Sequence, residues 1–147
     1  MDLRFTVQAK VKKPIEEVFD AIYNPKKLSR YFTTGGASGP LEEATEVMWD
    51  FHDYPRSFPV YVIQMIKNQK IVFEWSSAVE TNRLRVEIAF ESLGEDSTLI
   101  KISESGWTNE EQTSLDESYS NCQGWTQMLC SLKTYLEYDK NLREFYY

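Results

Sequence analysis

The sequence predicts an α+β domain in which a curved antiparallel sheet wraps around one long C-terminal helix. Three observations support this fold class. Several stretches alternate apolar and polar residues with the period of half-buried strands, and short turn segments join most of them. The C-terminal part of the chain changes to the three- and four-residue spacing of an amphipathic helix. Strands joined by such short turns pair antiparallel, because a parallel pair needs a long crossover connection.

The first strand and two short helices are indicated by their boundaries. Leu3–Val11 alternates as a half-buried strand. Pro14 then begins a short helix, because its fixed φ and missing N–H suit a first helical turn. Asn24-Pro25 ends that helix and begins a second one, which we expect to extend to Phe32. The glycine-rich segment 33–40 is expected to be a mobile loop.

Five further stretches have the composition of strands, and turn residues separate them. They are Thr45–Phe51, Phe58–Lys67, Lys70–Ser76, Arg83–Glu91 and Thr98–Ser105. The second stretch is apolar on both faces, with Tyr61, Ile63 and Met65 on one face and Val60, Val62 and Ile66 on the other. Because an outer sheet face is normally polar, this strand is a candidate surface for a weak homodimer.

The long helix is predicted from about Asn109 onward. Its expected inward face is Tyr119, Cys122, Trp125, Thr126, Leu129, Leu132, Lys133 and Leu136. Gly124 costs about 1 kcal/mol relative to Ala inside a helix, which indicates a close approach to the sheet or a bend. Cys122 and Cys130 lie about 12 Å apart along such a helix, too far for a disulfide that needs Cα atoms within about 7 Å.

Length, composition and charge bound the class of protein. The 147 residues, 41% of them hydrophobic, suit one domain, residues 1–147. A net charge of -7 argues against nonspecific nucleic-acid binding, which requires Lys and Arg to neutralise phosphates. No apolar run is long enough for a membrane span, and the N-terminus lacks the apolar core of a secretory signal. We therefore expect a cytoplasmic protein.

Several stretches spread over nearly the whole chain match a known family. They are Pro14 to Ile22, Asn24-Pro25 to Tyr31-Phe32, Val72 to Trp75, Ser97-Thr98 to Glu104-Ser105-Gly106-Trp107, and Gly124-Trp125 with Leu129, Leu132-Lys133 and Leu136. In this order and spacing they resemble the activator-of-heat-shock-protein-90-ATPase homologues of the START-like superfamily, also called SRPBCC. The resemblance implies a helix-grip fold, as in birch pollen allergens, with a cavity for a lipid-like or aromatic molecule. Tyr31 departs from the family, whose members commonly carry Trp there.

The residue types exclude several kinds of catalytic site. With His52 as the single histidine and two cysteines eight residues apart, neither a nucleophilic triad nor a metal site is expected. Asp50, His52 and Asp53 lie together, and a solvated edge position is favoured for His52 over an acid–base role. The glycines of 35–39 lack the lysine of a phosphate loop. No cofactor is expected.

The candidate site is a pocket between the sheet and the C-terminal helix. Its predicted residues are Tyr31, Phe32, Trp49, Phe51, Phe73, Trp75, Val86, Ile88, Phe90, Ile102, Glu104, Trp125 and Leu129, with Tyr31 and Phe32 as lids. The same residues would equally make a solid core, and periodicity does not separate the two interpretations. Glu104 alternates with core residues, so it either needs a ligand or a donor such as Tyr119 or Trp125, or it reaches water at the strand end.

Three functions follow in order of preference. The first is binding of a small hydrophobic ligand, or regulation through it, and the second is a cyclase- or hydrolase-like enzyme of the same fold. The third is a chaperone-interacting module. The length leaves no room for the additional chaperone-binding domain of eukaryotic activators, so activation of the heat-shock protein 90 ATPase is not expected.

Overall fold

The computed structural model of the chain describes residues 2–147. Its elements in chain order are β1 (Arg4–Val11), α1 (Ile15–Tyr23), α2 (Pro25–Leu28), β2 (Gly36–Ala37), β3 (Glu46–Asp50), β4 (Phe58–Ile66), β5 (Lys70–Ser76), β6 (Arg83–Gly94), β7 (Ser97–Ser105) and α3 (Gln112–Tyr138). The strands pair antiparallel in the order β1-β7-β6-β5-β4-β3-β2. The curled sheet and the long C-terminal helix confirm the predicted α+β helix-grip fold.

The two short helices close one end of the sheet. Helix α1 begins after Pro14, and its inward face is Val18, Phe19, Ala21 and Ile22. The side chain of Asn24 caps α2 by accepting a hydrogen bond from the Lys26 backbone N–H over 3.0 Å. Helix α2 is shorter than predicted. It ends at Leu28, and the segment from there to Phe32 forms hydrogen-bonded turns. This end of the sheet is therefore covered by apolar side chains.

The predicted mobile loop contains an edge strand instead. Gly36 and Ala37 form β2 and pair with Asp50 and Trp49 of β3. A Cβ atom on Gly35 would lie 2.9 Å from Cβ of Asp50, so only glycine permits this close approach. Gly36 has φ +111°, a conformation that L side chains rarely adopt. The glycines serve strand pairing, which their composition alone did not indicate.

Strand β4 contains a bulge, and its two faces therefore differ from those predicted. Val62 pairs with Phe73, but Gln64 pairs with Val72, so Ile63 has no partner in the ladder. Beyond this bulge the faces exchange. Met65 packs against the core, whereas Ile63 and Ile66 are exposed on the outer face. The prediction that placed Met65 outside and Ile66 inside is therefore wrong.

The long helix α3 begins three residues later than expected and differs in its inward face. The buried residues are Ser114, Ser118, Trp125, Gln127, Met128, Leu129, Ser131 and Leu132. Tyr119 is 63% exposed and Thr126 is exposed, so their predicted place on the inward face is wrong, whereas Cys122 is half-buried. The first turns bury serines rather than apolar residues, and for this reason hydropathy did not indicate that face. Both cysteines are free.

The main core lies between the sheet, α1 and the second half of α3. A smaller cluster of Leu3, Leu84 and Trp107 fills the end of the sheet near the start of α3. Within residues 2–147, no helix is long and apolar enough to cross a membrane. The core leaves one side of α3 facing a hollow, which is described next.

Candidate functional site

A hollow of about 300 Å³ lies between α3, the segment that joins β3 to β4, and the C-terminal tail (residues 139–147). We call it the aromatic pocket. Its lining residues are Phe32, Phe51, Asp53, Tyr54, Phe58, Trp75, Ser120, Asn121, Gln123, Gly124, Trp125, Gln127, Arg143 and Tyr147. The pocket therefore opens beside the junction of helix and sheet that the sequence predicted.

Five aromatic rings form one wall of the aromatic pocket. The rings of Trp75 and Trp125 lie 5.4 Å apart between centroids, and Phe32 lies 5.8 Å from Trp125. Phe51 contacts both Phe32 and Phe58 edge to face, at 5.1 and 5.7 Å. Edge-to-face and tilted contacts of this kind stabilise the rings against one another.

Glu104 holds two of these rings from beneath. Its oxygens accept hydrogen bonds from Nε1 of Trp75 over 2.7 Å and from Nε1 of Trp125 over 3.0 Å. The residue is 0% exposed, so water does not reach the carboxylate directly. Glu104 thus joins β7 to β5 and α3 and fixes the orientation of both indoles.

Two opposing effects set the protonation of Glu104. Burial disfavours the charged form, whereas hydrogen bonds from Trp75, Trp125 and Asn121 favour it. Burial is the stronger effect and, with repulsion from Glu117, raises the pKa of Glu104 to about 7. Among the expected donors, Trp125 is confirmed, and Tyr119 is wrong because it faces solvent on the other side of α3.

Gln127 is a buried amide beside the pocket. The residue is 5% exposed, and neither Nε2 nor Oε1 has a hydrogen-bond partner within residues 2–147. Buried polar groups are nearly always paired, because an unpaired amide loses its hydration without replacement. The Gln127 NH₂ group and its carbonyl oxygen are therefore both unsatisfied beside the pocket.

The C-terminal tail covers this side of the pocket. Arg143 donates two hydrogen bonds to Asp53, over 2.7 and 2.9 Å, and its guanidinium lies 5.2 Å from the ring centre of Phe51 and 4.9 Å from that of Tyr147. The Arg143 guanidinium lowers the pKa of Asp53 below its ordinary value. One bidentate ion pair thus anchors the tail to the β3–β4 connection.

Gly124 lies on the helical wall of the pocket. A Cβ atom built on Gly124 would have no neighbour within 4 Å in the described part of the chain, so the helix does not approach the sheet closely at this point. The predicted close approach is therefore wrong, and the absent side chain leaves open space on the pocket side of α3.

The structure separates the predicted pocket residues into two groups. Phe32, Phe51, Trp75 and Trp125 line the aromatic pocket. Tyr31, Trp49, Phe73, Val86, Ile88, Phe90, Ile102 and Leu129 are buried in the core behind it, and Glu104 lies between the two groups. Sequence reasoning missed Asp53, Phe58, Asn121, Gln127, Arg143 and Tyr147. The helical glycine at 124 was the one signal that pointed to this side of α3.

His52 lies outside the pocket. Its side chain is 60% exposed, and Nδ1 is 2.9 Å from Oε2 of Glu144 in the tail. Within residues 2–147, no group of three or more His, Cys, Asp or Glu side chains is placed to hold a metal ion. His52 therefore gives the aromatic pocket no imidazole.

Comparison with known proteins gives a family match and a shared fold. The family described as activator of Hsp90 ATPase homolog 1-like protein matches residues 12–137. A search of curated proteins found no match to the chain.

Several solved structures are similar. A Staphylococcus saprophyticus protein is 20% identical, with a TM-score of 0.77 over 96% of each chain. The Aha1 dimer from Colwellia psychrerythraea is 18% identical, with a TM-score of 0.77 over 95% of this chain and 99% of that one. An HSP90 activator from Plasmodium falciparum is 22% identical, with a TM-score of 0.72 over 91% of this chain and 96% of that one. At these identities the likeness concerns the fold.

Proposed function

The chain belongs to the family of activator of Hsp90 ATPase homolog 1-like proteins, and from this premise we propose that it binds a small, largely apolar aromatic molecule in the aromatic pocket. The observation that carries the proposal is the wall of five aromatic rings around about 300 Å³ at the helix–sheet junction. A concave, mostly apolar hollow with a few polar groups is the usual form of a small-molecule site. A planar guest would lie against Trp75 and Trp125.

The expected affinity depends on polar contacts as well as burial. Covering about 300 Å² of apolar ligand surface contributes about 7 kcal/mol, and association costs at least about 4 kcal/mol. The remaining few kcal/mol correspond to weak binding. Hydrogen bonds within the pocket are therefore needed for useful affinity and for orientation.

The arrangement of polar groups favours binding over catalysis. A general acid or base must reach a bound molecule, but both oxygens of Glu104 accept indole N–H groups and the residue is fully buried. His52 is outside the pocket and faces Glu144. We therefore place a cyclase- or hydrolase-like activity second to ligand binding.

Gly124 gives a direct test, because its pocket side is open. We expect the neutral probe N-phenylnaphthylamine to bind the wild-type chain with enhanced fluorescence. Gly124→Phe should fill the pocket and weaken binding by about tenfold or more. Gly124→Ala is the matched control, since it adds one methyl group and favours the helix. Equal binding by the wild-type and Gly124→Phe proteins would contradict the proposal, as would no binding to the wild type.

The third candidate function is contact with an Hsp90-type chaperone. The observation that favours it is the similarity to the Aha1 dimer and to the P. falciparum HSP90 activator. Both proteins are less than 25% identical to this chain, so the similarity concerns the fold and not particular contact residues. Because ligand binding is the preferred function, we expect no stimulation of a purified Hsp90 ATPase, and a several-fold stimulation would make the chaperone the principal partner.

A further inference from the structure

Gln127 lies where it can contact a molecule in the aromatic pocket. It follows Gly124 by three residues, and side chains three apart on a helix are neighbours on one face. The open space at Gly124 is therefore adjacent to the Gln127 amide. Gln127 also lines a second hollow of about 460 Å³ on the other side, which is bounded by Leu142 and Tyr146 of the tail.

The two unpaired atoms of the Gln127 amide determine which ligand groups could form hydrogen bonds with it. Nε2 is a donor and Oε1 is an acceptor, and both lack a partner within residues 2–147. A complementary ligand must offer an acceptor and a donor side by side. A lactam or a carboxamide has both groups on one edge, whereas a carboxylate has no donor and an ammonium group has no acceptor.

Charges around the pocket favour a neutral ligand. Among residues 2–147, Arg143 is the one cation that lines the pocket, and both oxygens of Asp53 already hold it. The chain as a whole carries a formal charge of -7, and Glu104 lies beneath the indoles. A carboxylate would thus approach an acidic protein without gaining a free cation.

Residues of the tail lie beside the covered amide of Gln127. Both amide atoms of Gln127 are covered, and tail residues line both hollows beside it. The Arg143–Asp53 pair joins the tail to the opposite rim. We expect a ligand to reach Gln127 when this part of the tail moves aside.

From the unpaired amide, its place beside Gly124 and the charges around it, we propose that Gln127 selects a neutral aromatic ligand that carries a hydrogen-bond donor and acceptor side by side, as in a lactam or carboxamide. This inference rests on the proposed function, since it names the ligand class of the same pocket. Trp75 and Trp125 contact the flat ring of the ligand, and the Gln127 amide forms hydrogen bonds with the donor and acceptor of the ligand.

The test uses two matched probes and two matched variants. Carbostyril presents a lactam N–H and C=O on a flat bicyclic ring, and N-methylcarbostyril keeps the ring and the acceptor but loses the donor. Gln127→Met keeps the length of the side chain without its polar atoms. Gln123→Met is the control, because Gln123 lines the same two hollows but is exposed. Dissociation constants would be measured by quenching of tryptophan fluorescence.

We expect the wild type and Gln123→Met to bind carbostyril about tenfold more tightly than its N-methyl analogue. Gln127→Met should bind the two probes equally. If both probes bind the wild type with equal affinity, or if Gln127→Met retains the preference, the proposed role of Gln127 is wrong. The proposal that the pocket binds a ligand is then unaffected. If neither probe binds and N-phenylnaphthylamine also fails, the proposed function fails with it.

Discussion

The indole ring of Trp75 lies 5.4 Å from that of Trp125, and the same buried carboxylate, Glu104, accepts the N–H of both. Trp75 is on β5, Trp125 is on α3 and Glu104 is on β7. A change at this carboxylate therefore acts on the wall of the pocket from outside it.

The first prediction concerns tryptophan fluorescence. Protonation of Glu104 removes the negative charge and places a proton on one oxygen, so the hydrogen bond that this oxygen accepts from an indole N–H is weakened. Because the pKa of Glu104 is raised to about 7, we expect the emission to change with a midpoint near pH 7. Glu104→Gln should remove this transition. A transition of equal size in the Gln variant would show that another group is responsible.

The second prediction is the effect of Glu104 on stability. Its folded pKa is about 7 against an ordinary 4.5, so the folded protein binds more protons in this window. Stability should therefore fall as the pH rises from about 4.5 to about 7, by about 3 kcal/mol in the free energy of unfolding. The pKa values of Asp53 and Glu137 are lowered, so these two groups change the stability at pH values below this range. Urea unfolding of wild type and Glu104→Gln at several pH values measures the difference. An equal slope in both proteins would contradict it.

The third prediction is that Gln127 weakens the fold. Replacing its unpaired amide with the similar but apolar Met should raise the free energy of unfolding by about 1 to 3 kcal/mol. The two residues have nearly equal helix propensity, so α3 itself is unaffected. The exposed control, Gln123→Met, should change stability by less than about 0.5 kcal/mol. Destabilisation by Gln127→Met in urea would mean that the amide is satisfied in solution.

The fourth prediction concerns the tail. Arg143→Ala removes both hydrogen bonds to Asp53, so hydrogen exchange in residues 139–147 should accelerate and carbostyril should associate faster. Glu144→Gln is the control, because the His52–Glu144 pair is exposed and contributes little. The pKa of Asp53 is lowered, so the ion pair is present above its ordinary pKa and is lost as the pH falls below about 4. Exchange as slow in Arg143→Ala as in wild type would contradict this role.

Much of the fold could be predicted from local patterns. The alternation of β1 and the proline at the start of α1 are signals within a few residues, and the structure agrees with them. The bulge at Ile63 is a shift in the pairing of β4 with β5, and no residue type within β4 indicates this shift. The half of α3 that buries Ser114 and Ser118 was assigned to the wrong face, because its packing is polar.

The candidate site was harder to predict than the fold. Alternation indicated that Glu104 faces inward, but the pairing with Trp75 joins strands that are not adjacent in sequence. Gln127 resembles a solvated residue of a polar helix, and its burial depends on packing beside a tail whose position is a tertiary property. Four of the predicted residues, Phe32, Phe51, Trp75 and Trp125, line the hollow, whereas its polar groups were not predicted.

The most direct test of ligand binding in the aromatic pocket is a nitrogen–proton NMR spectrum of the four tryptophan indole groups during titration with carbostyril. We predict that the signals of Trp75 and Trp125 move most, because both line the pocket. The signal of Trp107 should move little, because this residue lies in the separate cluster with Leu3 and Leu84. Four unchanged signals at saturating probe, or the largest shift at Trp107, would contradict the account.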